Sequence, residues 1–317
     1  MLRPDPVFAG QYGAVGDPSV IRAADGTDLM FHNCLDVLRN PQGGEICLAL
    51  SVDGLDWHYA WTAESVRLVR GRLLRARIGH WDEAHETPFA VRVKAGIRLY
   101  VLGYHGGSVF SDQASSAIGM VESADPVQFP AMAAPVLRPS VPGDQGGVTS
   151  PSVVQTDQGA VLHYTGWSCS MNEPGCASHV KLSLMAVSLD KAGKPAGSPQ
   201  IVLGDPGVVW AQGGTAEATV IRGPDRRYYL FFSTLPGALV QRIGIGVAPG
   251  PFGPFTVAPG PIIEPRGTWD NGGVLTPDVR IEGGRVRLWF HGFETDAAAQ
   301  IVKARIGYAE HPWPLLP

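Results

Sequence analysis

The chain has 317 residues, 44% of them hydrophobic, which is enough for a full-sized core. Only 17% are charged and the formal net charge is −4, so there is no electrostatic footprint for nucleic acid or an anionic membrane, and neutral small molecules or polymers are the expected partners. The opening MLRPDPVFAGQYG has neither a basic start nor an apolar run, and no stretch approaches a membrane span, so a cytoplasmic location is expected unless a leader has been removed.

The first short run, Pro6 to Ala9, resembles the segment that precedes the last repeat, and is expected to be an outer strand that closes a ring of repeats. Five stretches then share one layout. They are GDPSVIRAADGTDLMFHN from Gly16, ETPFAVRVKAGIRLYVLGYHG from Glu86, SPSVVQTDQGAVLHYTG from Ser150, GGTAEATVIRGPDRRYYLFFS from Gly213 and TPDVRIEGGRVRLWFHG from Thr276. Each reads as two antiparallel strands joined by a turn. Their anchors, Pro18, Pro88, Pro151, Ala218 and Pro277, recur at intervals of 59 to 70 residues. A third apolar run follows every hairpin, such as AIGMVESADP or RIGIGVAPGP, and most repeats add a fourth, such as APVLRPS or GPIIEP. Four strands repeated five times predict an all-β, five-bladed propeller forming a single domain over residues 1–317, with the tail EHPWPLLP across its outside.

Cys34 and Cys47 fall close enough in the first repeat to meet, and Cys169 and Cys176 flank a loop. Both pairs suit disulfides, and equally free thiols in a reducing compartment. Neither has zinc-finger spacing, so no metal site is expected at the cysteines.

In a propeller the innermost strands all run the same way, so their first residues ring one mouth of the central channel. Those residues are Asp17, Thr87, Ser150, Glu217 and Thr276, with Glu86 and Asp278 one step to either side. The second strands return to the same mouth and bring His32, His105, Thr165, Trp167, Ser233 and His291. The approach loops share Trp81, Trp210 and Trp269, together with Asp82, Asp144 and Asp270. Aromatic faces beside carboxylates suit a sugar, but a Trp and an Asp repeated around a propeller also serve to join blades, and for the three aspartates that role is the expected one. The candidate substrate contacts are His32, Glu86, Ser150, Trp167, Trp210, Asp278 and His291. What breaks the repeat is more informative, because only the first and fourth units place an acid just before the anchor. Two carboxyls facing each other across a pocket, Asp17 and Glu217, are the equipment for glycoside hydrolysis.

With Gly-Asp-Pro-Ser opening the first repeat, a Pro-anchored second hairpin and Glu217 opening the fourth before YYLFFS, the chain resembles the five-bladed glycoside hydrolases of families 43, 62, 32 and 68. The resemblance is closest to the family 43 pattern. It implies that Asp17 is the general base and Glu217 the general acid of an inverting, exo-acting glycosidase on a furanoside or pentose-type glycoside, with carboxyls roughly 6.5 to 9.5 Å apart. It also implies a carbohydrate substrate, no required cofactor, and a Ca²⁺ ion in the channel near His291. The chain departs from the pattern in having Glu-Ala-Thr for Glu-Gly-Pro, no Trp-Met-Asn before Asp17, and Ser150 where the family has a third acid. Glu86 and Asp278, each one residue out of register, are the carboxyls near enough to compensate. Two further readings stay open. A glycoside phosphorylase or transglycosylase would hold phosphate with Arg280, His291 or His32, and a non-catalytic propeller would only bind sugar. No nucleophile elbow or phosphate-binding loop is present.

Overall fold

The computed structural model describes residues 5–9, 14–35, 44–62, 70–105, 115–211, 214–234, 240–298 and 300–316. Its strands, in chain order, fall into five antiparallel sheets. Strand β1 (Asp5–Phe8) stands apart from the first sheet, which holds β2 (Ala14–Arg22), β3 (Asp28–Leu35), β4 (Glu45–Ser51) and β5 (His58–Tyr59), with β6 (Arg72–Leu74) also on β4. The second holds β7 (Ala84–Val93), β8 (Gly96–Tyr104), β9 (Ala117–Ser123) and β10 (Pro135–Leu137). The third holds β11 (Gly147–Thr156), β12 (Gly159–Trp167), β13 (Leu182–Leu189) and β14 (Gln200–Leu203), and the fourth β15 (Ala216–Arg222), β16 (Tyr228–Ser233), β17 (Ile243–Ala248) and β18 (Thr256–Val257). The fifth holds β19 (Gly273–Glu282), β20 (Arg285–Thr295) and β21 (Ile301–Pro312), and β1 completes it. This is the five-bladed propeller that the repeats predict.

The core lies between blades. Leu29, Phe31 and Leu48 of the first blade pack on Ala90, Leu99 and Val101 of the second, and Tyr100 and Ile118 of the second on Leu162 and Tyr164 of the third. Val154 and Leu184 meet Val220, Leu230 and Phe232, and Tyr229, Phe231 and Ile245 in turn meet Val279, Leu288 and Phe290. Trp289 and Ile306 of the fifth blade then return to Val20, Met30 and Ala49 of the first. Each blade is thus covered on both faces, which is why second strands such as YYLFFS are apolar without alternation and buried throughout.

The ring closes as expected, with β1 pairing β21 through Asp5 with Tyr308, Pro6 with Gly307 and Phe8 with Ile306. The tail is more deeply engaged than a strap across the outside. Trp313 meets Tyr229 edge to face at 4.7 Å, and Leu315 and Leu316 join the same cluster. Both cysteine pairs form disulfides, Cys34 with Cys47 and Cys169 with Cys176. Two short 3₁₀ turns, Cys176–Ser178 and Val209–Ala211, lie between the strands, and no helix among the described residues is long and apolar enough to cross a membrane.

Candidate active site

Every innermost strand carries a bulge at its mouth end, between Gly16 and Ser19, Glu86 and Phe89, Thr149 and Ser152, Ala216 and Thr219, and Leu275 and Asp278. The first residue of each inserted pair has a left-handed backbone. The φ values are 52° for Asp17, 42° for Thr87, 53° for Ser150, 44° for Glu217 and 46° for Thr276. Bulges re-aim a side chain, and non-glycine residues held in this region cluster at functional sites. Here the five re-aimed side chains and the residues after them line one pocket on the propeller axis.

Two of the five are acids, each tied to the next blade. The Asp17 carboxylate accepts the Thr87 N–H at 3.4 Å and lies 3.5 Å from His291 Nδ1. The Glu217 carboxyl accepts the Ser233 hydroxyl at 2.7 Å and the Thr276 N–H, while its own N–H donates to Thr165 Oγ1 at 2.9 Å. Glu217 is pushed up to about 8, first by burial and then by the charge of Asp17, with Glu86 adding to it and the Ser233 bond opposing. A carboxyl in that state keeps its proton at neutral pH. Glu86 also stands at this mouth, where burial and Asp17 raise it to about 7 against the Tyr104 hydroxyl, which donates to it at 2.6 Å. The hydroxyls of Thr87 and Thr276 are buried with no hydrogen-bond partner among the described residues, as are both ring nitrogens of His291. His291 packs over Gly16, whose missing Cβ would lie 2.5 Å from Nδ1.

Asp17, Glu217, Glu86, Ser150 and His291 are therefore brought together as their positions predict, and four other expected contacts are not. The His32 ring is fully buried between Phe8 and Tyr59, with Nδ1 donating to the Asn33 carbonyl at 2.8 Å. Burial lowers it to about 4, so it stays neutral. The Asp278 carboxyl accepts the Val20 N–H of the first blade at 2.8 Å, just as Ser19 accepts from Ala90 and Ser152 from Val220, so it joins blades. Trp167 is 4% exposed, with its indole N–H on Thr149. Trp210 stacks on Phe232 at 5.6 Å and covers Gly244, where a Cβ would meet its ring at 2.1 Å. Trp81 covers Gly103 and Gly119, and Trp269 covers Gly292 and Gly307, in the same way. The tryptophans are blade packing. The aspartates are structural, but they stitch their own loops and hairpins where a bridge between blades was expected, Asp144 accepting Ser140 and Val141 N–H and the Tyr164 hydroxyl, and Asp270 the Arg266 and Gly267 N–H.

Of the phosphate candidates, Arg280 is bound to Asp28 and Glu282 over Trp289 and His32 is sealed, which leaves His291. The Ca²⁺ expectation meets a poor donor set. The ion takes roughly six to eight oxygens, whereas Asp17 is the carboxylate paired with His291, and no group of three His, Cys, Asp or Glu able to hold a metal occurs among the described residues. Sequence reasoning placed Thr87 and Thr276 at the mouth but missed Tyr104. Tyr104 ends the VLGY run at the same mouth, and that position was the available signal.

No protein-family profile matches the chain, and no curated protein matches it in sequence. Solved structures do match in fold. A thermostable family-43 glycoside hydrolase superposes with a TM-score of 0.68 at 16% identity, over 95% of this chain and 91% of that one. An endo-arabinase from Bacteroides thetaiotaomicron gives 0.67 at 13% identity, over 98% of both chains. An endo-arabinanase of family 43 from Bacillus licheniformis gives 0.62 at 19%, over 93% of this chain and 96% of that one. The chain has the five-bladed fold of these glycoside hydrolases, with a divergent sequence.

Proposed function

We propose that the protein is an inverting glycoside hydrolase in which Asp17 activates water and Glu217 protonates the leaving group. One observation carries this reading. Two carboxyls that the repeat does not require are turned into the axial pocket by left-handed bulges, and Glu217 keeps its proton to about pH 8. Asp17, with a backbone N–H and an imidazole beside it, is set up as the base. An acid and a base in separate environments across one pocket are what glycosidic cleavage needs. The arabinanase names of the fold neighbours support an arabinofuranoside or related pentose unit as substrate, and exo-action on it is our reading.

The test is sugar release from a panel of aryl glycosides, with and without phosphate, by the wild type, Asp17→Asn and Glu217→Gln. D17N is expected to lose about 10²- to 10⁴-fold on every substrate. E217Q should lose as much on poor leaving groups and far less on activated aryl glycosides. In the wild type, kcat/KM should fall above about pH 8, because Glu217 must be protonated to act. Wild-type rates in both variants overturn the assignment and favour a sugar-binding propeller. Release that requires phosphate favours the phosphorylase.

A further inference from the structure

Seven of the eight tryptophans are buried or half-buried in the ring, whereas Trp61 is 70% exposed. Little of that indole serves packing, yet it is held in place. The Arg70 guanidinium lies over its ring at 4.5 Å, a cation–π contact. Arginines elsewhere are held by carboxylates, as Arg72 is by Glu45, Arg77 by Asp82 and Arg280 by Asp28. Arg70 has no carboxylate against it among the described residues, so its charge is left unneutralised.

Both side chains line a groove of about 680 Å³, within the range of roughly 300 to 1,000 Å³ usual for ligand sites. It lies on the rim of the ring, where β1, the outer strand of the fifth blade, runs beside β5, the outer strand of the first. Phe8 meets Tyr59 edge to face at 5.3 Å and holds the two sides of this seam together. Trp57, 6% exposed, is fixed in the wall by its indole N–H on the Gly54 carbonyl at 3.0 Å. The groove shares no lining residue with the axial pocket. Among its described lining residues stand Arg70 and His58 and no Asp or Glu, although the chain as a whole carries a net charge of −4. Charge complementarity therefore favours an anion. A guanidinium stacked on a ring keeps its N–H edges free in its own plane, so Arg70 can brace Trp61 and grip a carboxylate together. The exposed indole suits the C–H face of a sugar. We propose that this groove is a second carbohydrate site, separate from the axial pocket, that takes a uronate-bearing segment of a polysaccharide, its ring on Trp61 and its carboxylate on Arg70.

The experiment is calorimetric titration of the intact protein with tetragalacturonate, with arabinotetraose as the neutral sugar and tetraglutamate as the acidic peptide for comparison. Tetragalacturonate is expected to bind more tightly than either, and more weakly as salt is raised. Trp61→Ala should weaken it by about tenfold or more. Arg70→Gln should bring it down to the level of arabinotetraose and remove the salt dependence. Both residues are exposed, so the melting temperature and the rate on any small aryl glycoside cleaved should match the wild type in both variants. Tetragalacturonate binding that is absent, or that is unchanged in W61A and R70Q, overturns the proposal, and so does a preference for arabinotetraose or tetraglutamate. The axial pair plays no part in this readout, so wild-type rates in D17N and E217Q would defeat the catalytic reading and leave the rim site standing.

Discussion

Threonine is among the residues least suited to a left-handed backbone, yet Thr87 and Thr276 hold φ values of 42° and 46°. Each also keeps a buried hydroxyl without a partner among the described residues. Such strain costs about 1 to 2 kcal/mol per residue and persists only where the surroundings impose it. Thr276→Asn, which suits this backbone better, is therefore expected to raise stability by about 1 kcal/mol in urea unfolding while lowering activity, because it moves the N–H and hydroxyl beside Glu217. A stability gain without any kinetic change would make the threonine a scaffold residue. This scale was the least legible in the sequence. Asp17, Thr87, Ser150 and Thr276 all precede a proline, and local rules push such residues toward an extended backbone. The positions could be found by counting repeats, but the twist that aims them into the channel could not, since it comes from neighbouring blades closing around the bulge.

At the scale of the element, an approach-loop tryptophan lies against glycines in the second and third strands of its own blade: Trp81 on Gly103 and Gly119, and Trp269 on Gly292 and Gly307. The flat indole replaces the side chains those strands lack. Trp210→Ala should thus cost about 3 kcal/mol of stability and leave sugar affinity unchanged. Gly103→Ala should cost about 1 to 3 kcal/mol, because its Cβ would stand 2.5 Å from the Trp81 ring. A lowered melting temperature with unchanged KM in both variants confirms packing, whereas a raised KM in W210A restores a stacking role. The tryptophan repeat was visible in the sequence, but its purpose was ambiguous. The glycine spacing in VLGY, IGM, IGIG, FHGF and RIGY was the cue that resolves it, since a sugar platform needs no glycine behind it.

For the whole molecule, blade count, ring closure and the proximity within each cysteine pair were legible because each follows from repeat spacing, whereas the bonding of the cysteines was left open. Which carboxyls face the mouth was only half legible, since a one-residue bulge decides whether Asp278 meets substrate or the next blade. The consequence is a chain carrying four carboxyls raised by burial: Glu217 to about 8, Glu86 and Asp278 to about 7, and Glu45 above its ordinary value against the pull of Arg72. Unfolded, they release their protons near 4.5 for glutamate and 3.8 for aspartate. Between those values and about pH 8 the folded chain holds more protons than the unfolded one, so stability falls as pH rises. His32 and His163, lowered by burial from 6.5 to about 4, act oppositely: their contribution is present above pH 6.5 and is lost as pH falls toward 4. The two trends offset each other up to about pH 6.5, and above it only the carboxyls remain. The melting temperature should therefore decline from pH 6.5 to 8. In Asp278→Asn, which keeps an acceptor for the Val20 N–H, the decline should be shallower, and in the triple variant E86Q/E217Q/D278N it should nearly vanish. Thermal unfolding across that range decides it, and a wild-type melting temperature that is flat or rising over it would mean that these carboxyls are already ionised in the folded ring.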